Sequence, residues 1–167
     1  MQPIILVFKL QNYGNHCGVY LKELGFFDLS LLGVRRIPLN KLRFASSTIN
    51  AYILEDKNLE KTLEYFIKQT SLPAEIIEQE RKSKGWNRTK FAGDFVLSLR
   101  TSRAKPTQSL NCVEWLLYGL ELSGYVFPSS ILSPEQLDNW CKVNLRTLFI
   151  DLSSEESEFR NRLESTR

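Results

Sequence analysis

Short apolar or alternating runs, separated by Gly, Asn or Pro, fill the first third of the chain, and this pattern predicts strands joined by tight turns. "PIILVFKL" reads as a first strand, "QNYGN" as a turn and "HCGVYLKEL" as a second strand. A third strand is expected in "FFDLSLL", followed by "GVRRIPLNKL", where Pro38 and Asn40 mark the start of a turn or short helix. "TINAYILED" predicts another strand, with Asn50, Tyr52 and Leu54 on one face and Ala51, Ile53 and Glu55 on the other. From residue 58 the period becomes helical: Leu59, Leu63, Phe66 and Ile67 share a face, while Glu60, Lys61, Glu64 and Lys68 fall elsewhere. This is the pattern of an amphipathic helix lying on a sheet.

A further helix is expected in "PAEIIEQERKSK", opened by Pro73 and ended at Gly85. "FAGDFVLSLR" then reads as a strand or extended segment and "TSRAKPTQS" as a polar loop. Asn111 to Ser123 predicts an apolar helix ended by Gly124, and "SPEQLDNWCKV" a short one with Ser133 as cap and Pro134 in its first turn. The pattern assembles into an α+β domain over residues 1–150, a mostly antiparallel sheet with packed helices. Residues 151–167 read as a polar C-terminal tail, mobile or a solvated helix.

Composition agrees with one globular domain: 167 residues, 43% hydrophobic and 25% charged. The formal net charge of +3 permits anionic partners without requiring them. Cys17, Cys112 and Cys141 leave an odd thiol under any pairing, and no spaced Cys/His set could build a zinc site, so neither a disulfide scaffold, a metal nor a cofactor is expected. The opening apolar run lacks a basic start and a cleavage site, and no segment approaches a membrane span. The expected address is cytoplasmic, with export by a dedicated secretion machine left open.

His16 is the only histidine, so any Cys-His chemistry must use it. Strand alternation places His16, Gly18 and Tyr20 on one face and Cys17, Val19 and Leu21 on the other. Cys112 stands near a helix N-terminus, where unpaired N–H groups and the helix dipole favour a thiolate. The same N–H groups can face the oxyanion of a tetrahedral intermediate. Read singly, His16 is a half-buried polar residue and Cys112 a small apolar side chain starting a core helix.

Taken together, "NHCGVYL", "GVRRIPLNKL", "NAYILED" and, after a helix, "NCVEWL" with "PSSILSPEQL" resemble the circularly permuted papain-fold cysteine hydrolases of the NlpC type. These include YiiX-like proteins and the lecithin retinol acyltransferase branch. In them the histidine strand precedes the cysteine helix, and His16 precedes Cys112 here. "Asn111-Cys112-Val113-Glu114" is similar to the cysteine motifs of both branches and identical to neither. The resemblance implies a permuted papain-like fold, Cys112 as nucleophile, His16 as base and a polar orienting residue on the next strand. By spacing from the histidine that residue is Asp28, with Ser30 as the alternative.

Glu114 reads first as a carboxylate favoured by the helix dipole, and Cys17, Cys141, Trp115, Phe127 and Trp140 as core or incidental residues. The resemblance implies a cysteine peptidase, amidase or acyltransferase that acts on an amide or ester of a peptide or lipid. The alternative is a catalytically retired papain-like domain kept for binding. The run "RKSKGWNRTK" carries Arg81, Lys82, Lys84, Arg88 and Lys90 around Trp86. It reads first as a solvated helix end, and otherwise as a contact for an anionic membrane surface. Nucleic acid is not an expected partner.

Overall fold

The computed structural model describes residues 2–10, 14–30, 33–56, 58–71 and 111–150, together with Asn161 and Ser165. The expected helix at 73–84, the extended segment at 91–100, the loop before the cysteine helix, the basic run and nearly all of the tail lie outside these residues.

The described elements run β1 (Ile4–Leu10), β2 (Gly14–Leu21), β3 (Gly25–Ser30), β4 (Gly33–Ile37), α1 (Leu39–Ala45), β5 (Ser46–Ile53), α2 (Leu59–Thr70), α3 (Cys112–Glu121), α4 (Pro134–Asn144) and β6 (Arg146–Leu148). The strands form one six-stranded sheet in the order β4-β3-β2-β1-β5-β6, and every neighbouring pair is antiparallel. The α+β class with a mostly antiparallel sheet is therefore what the chain adopts.

Burial explains why β1 reads as an unbroken apolar run. It is a central strand covered on both faces, and parity divides its side chains between two cores. Ile5 and Val7 pack with Cys17, Val19, Leu21 and Tyr52 beneath α2, α3 and α4. Ile4, Leu6 and Phe8 pack with Tyr20, Phe26 and Ala51 on the other face, covered by Leu39 and Leu42 of α1. The two-faced reading of β5 holds, since Tyr52 and Leu54 enter the first core and Ala51 the second. Where Asn50 joins that first face, it meets α4: Asn50 Nδ2 donates to Asp138 Oδ1 at 3.0 Å, and the Tyr52 hydroxyl donates to the same oxygen. Lys142 Nζ lies 2.6 Å from Asp138 Oδ2, so the buried face of α4 is tied to the sheet by a satisfied carboxylate.

Two strands depart from the expected pattern. "GVRRI" forms β4, a strand the pattern does not announce, while the short helix starts at Leu39, where Pro38 and Asn40 mark it. Arg35 and Arg36 are exposed on this edge strand, and charge on a sheet edge hides the apolar alternation that would mark it. The three-residue β6 is too short to show a period at all. The second strand also ends earlier than expected, at Leu21, because Lys22 to Leu24 turn the chain toward Gly25. The expected helix to Ser123 stops at Glu121, and Gly124 follows with φ +89°, a conformation that favours glycine.

Candidate active site

The first turn of α3 is set by a capping box. Asn111 Oδ1 accepts the Glu114 N–H at 2.8 Å, and Glu114 Oε1 accepts the Asn111 N–H at 3.0 Å. Such caps hold a helix start to about 1 kcal/mol, and here they fix the position of Cys112, the first residue of α3. Glu114 is fully buried in this role, consistent with its reading as a structural carboxylate.

Opposite α3 lies the end of β2. The β2–β3 ladder pairs only Val19 to Leu21 with Gly25 to Phe27, so the segment bearing His16 and Cys17 is held on β1 alone. Gly18 stands at this fork, where a Cβ would lie 2.3 Å from the Phe27 carbonyl oxygen and 2.5 Å from the Phe26 ring. Only glycine lets the strands close immediately above the histidine. The site gathers where they part.

His16 Nε2 lies 2.8 Å from Asp28 Oδ2, and the imidazole and Phe8 rings meet in a T-shaped contact with centroids 5.4 Å apart at 82°. Asp28 is 0% exposed, and Arg35 holds it from β4: Nε donates to Oδ1 at 2.8 Å and Nη2 to Oδ2 at 3.0 Å. The orienting carboxylate proposed from spacing therefore touches the imidazole. Ser30 Oγ instead donates to the Gly33 carbonyl oxygen at 2.9 Å, across the hairpin.

With Nε2 committed to Asp28, Nδ1 is the ring nitrogen left for the thiol. Cys112, 1% exposed, hydrogen-bonds through its side chain to both the His16 ring and Cys17. The hydrogen bond from the Cys17 side chain holds the Cys112 thiol well below its ordinary range; burial opposes this, and the His16 charge and hydrogen bond reinforce it. Burial pulls the His16 imidazole down, but the Cys112 charge and the hydrogen bonds that the ring donates to Asp28 and Cys112 prevail and push it from 6.5 up to about 10. Burial and the Cys112 hydrogen bond push the Cys17 thiol well above its usual value, so Cys17 keeps its proton and donates it. For Asp28, burial is again the largest influence, and it is overcome by the hydrogen bonds from His16 and Arg35, which lower the carboxyl. These directions favour a buried imidazolium–thiolate pair.

The structure thus brings together Cys112, His16 and Asp28, the residues that the resemblance implies, and adds two partners that the sequence reading misses. Cys17 occupies the core face opposite His16, as alternation requires, yet it is not incidental, because α3 docks against that face and puts Cys112 beside it. Arg35 was hidden in "GVRRI". Reading that run as the return strand of a hairpin sets Arg35 opposite Asp28, the register the structure adopts, and an opposite-charge cross-strand pair is the signal that would have found it. Cys141 is buried in the same core.

A Cys17→Ala variant should be alkylated at Cys112 only at higher pH than the wild type, since the thiolate loses its strongest hydrogen bond. Iodoacetamide rates across pH measure this. An unmoved profile would show that the Cys17 thiol does not support the thiolate.

Beside the site, a cleft of about 290 Å³ is lined by residues that include Lys9, Asn15, Thr48, Asn50, Asp138 and Lys142. Asn15 adjoins His16, and Val7 and Phe8 of the same cleft pair with Cys17 and His16 across the ladder. Among the described residues, no group of three or more His, Cys, Asp or Glu could hold a metal ion, and no helix is long and apolar enough to cross a membrane. No protein-family model, no curated protein and no solved structure matches the chain.

Proposed function

We propose that this chain is a cysteine hydrolase or acyltransferase with a permuted papain-like fold, cleaving an amide or ester through an acyl-enzyme on Cys112. The observation that carries the reading is that buried Cys112 meets the His16 ring, whose Nε2 is held by the buried Asp28 carboxylate. Close contact between thiol and ring favours chemistry over a retired binding domain.

In this mechanism the Cys112 thiolate attacks the acyl carbonyl, a C–S bond forms, and the carbonyl electron pair becomes an oxyanion. Because the capping box occupies the Glu114 N–H, the earlier N–H groups of Cys112 and Val113 are the donors for that oxyanion. Collapse of the intermediate expels the amine or alkoxide, which takes its proton from His16 Nδ1. Neutral His16 then accepts a proton from water or a second acceptor as that nucleophile attacks the thioester, and Cys112 leaves as thiolate. Asp28 keeps Nε2 protonated and the ring in plane with the sulfur throughout.

The test is trapping. p-Nitrophenyl acetate should give a burst of nitrophenol, and protein quenched in acid should carry one acetyl group that peptide sequencing maps to Cys112. Absence of both the burst and the Cys112 adduct would overturn the proposal.

A further inference from the structure

We infer that Arg35 is a positioning residue of this site, aiming the Asp28 carboxylate so that the His16 ring faces Cys112. The inference rests on the reading of Cys112 and His16 as a reactive pair. Its own warrant is geometric.

A carboxylate held by one hydrogen bond turns about its terminal torsion, and the imidazole it orients turns with it. At Asp28 that rotation is blocked. Arg35 engages both oxygens, Nε on Oδ1 and Nη2 on Oδ2, and His16 Nε2 shares Oδ2. Two parallel bonds from a planar guanidinium define the carboxylate plane in a way a lysine cannot reproduce. The Phe8 ring meets the imidazole in a T-shaped contact, which limits its swing further.

The pairing looks unlike an ordinary surface ion pair, which contributes little. Its acidic partner is completely buried while the Arg35 side chain is 47% exposed, so the guanidinium closes the site from the solvent side. Among the described residues, Asp28 faces His16 of β2 and Arg35 of β4, and His16 faces Asp28 of β3 and Cys112 of α3. Cys17 also lies in the field of Asp28. Without Arg35, the His16 imidazolium would be the one cation left among the described residues that lower the buried Asp28 carboxyl. An opposite charge this close holds a carboxyl about one to three pH units down.

Because His16 is the only histidine, a long-range 1H–15N spectrum reports its ring without assignment. The full chain and its Arg35→Ala, Arg35→Lys, Asp28→Asn and Arg35→Ala/Asp28→Asn variants would be compared by that spectrum and by the pH profile of Cys112 alkylation with iodoacetamide. Arg35→Ala should move the acid limb of alkylation up by at least about one pH unit and change the His16 titration, Arg35→Lys, which keeps the charge but not the two parallel bonds, should recover only a minor part of the shift, and Arg35→Ala should add nothing once Asp28 is Asn. Arg35→Gln, of similar length and uncharged, replaces Arg35→Ala if circular dichroism shows that the alanine variant is unfolded.

An unchanged acid limb and His16 titration in a folded Arg35 variant would overturn the inference. So would an equal shift in the Asp28→Asn background, since Arg35 would then act without Asp28. Neither readout needs turnover. A chain that shows the Arg35 effect but forms no acetyl-enzyme would lose the proposed reaction and keep the positioning role.

Discussion

Replacing His16 with glutamine should slow acylation of Cys112 by roughly a hundred- to ten-thousandfold, the range a positioned proton-transfer group contributes. Glutamine can still hydrogen-bond Asp28, so the effect isolates the loss of charge and of the proton. Two consequences follow from the directions of the shifts. The Cys112 thiol, lowered by the Cys17 hydrogen bond and, against burial, by the His16 charge, loses that charge and moves upward, so its thiolate appears only at higher pH. The leaving group also loses its acid. In the wild type, the imidazolium, raised to about 10, persists well above neutrality, and activity is lost on the acid side as pH falls through the lowered Cys112 value. In the variant, the nitrophenyl acetate burst should shrink and its acid limb should move up. The pH dependence of the burst measures both, and an unaltered rate and profile would remove His16 from the chemistry.

Trp115→Ala should cost about 3–5 kcal/mol of stability, as expected for removing a large buried aromatic. The side chain is 2% exposed, its ring centroid is 5.5 Å from that of Phe66, and Nε1 donates to Thr70 Oγ1 at 3.0 Å. It joins α3 to α2 where Gly119 lets the helices approach, since a Cβ there would stand 2.6 Å from Phe66 Cδ1. The cavity opens between α2 and α3, and α3 is held on β2 and β3, so it cannot move freely to close the gap. Urea unfolding gives the cost, and Trp115→Phe, keeping most of the volume, separates the hydrogen bond at about 1 kcal/mol. A Trp115→Ala cost below about 1 kcal/mol would place the main α2–α3 packing elsewhere.

What could be read from the chain was local. The change from strand-like runs to a helical period near residue 58 announces an α+β fold, Ser133 and Pro134 mark the start of α4, and Gly124 lies just past the end of α3. Alternation put His16 and Cys17 on opposite faces, and the spacing suggested by resemblance led to Asp28. These depend on backbone period and on capping chemistry, which a few consecutive residues carry by themselves.

β4, β6 and the partners of the site were not local. Arg35 meets Asp28 through the register of a hairpin whose return strand is masked by its own charges. Cys17 became a neighbour of Cys112 because a helix far along the chain docks on its face of the sheet. The sequence by itself determined the fold class, the faces of the strands and the presence of one histidine for one well-placed thiol. Only the tertiary structure decided that these meet where β2 and β3 part, with Arg35 and Cys17 around them, because sequence period sets where a side chain points along its own element and only packing sets what it points at.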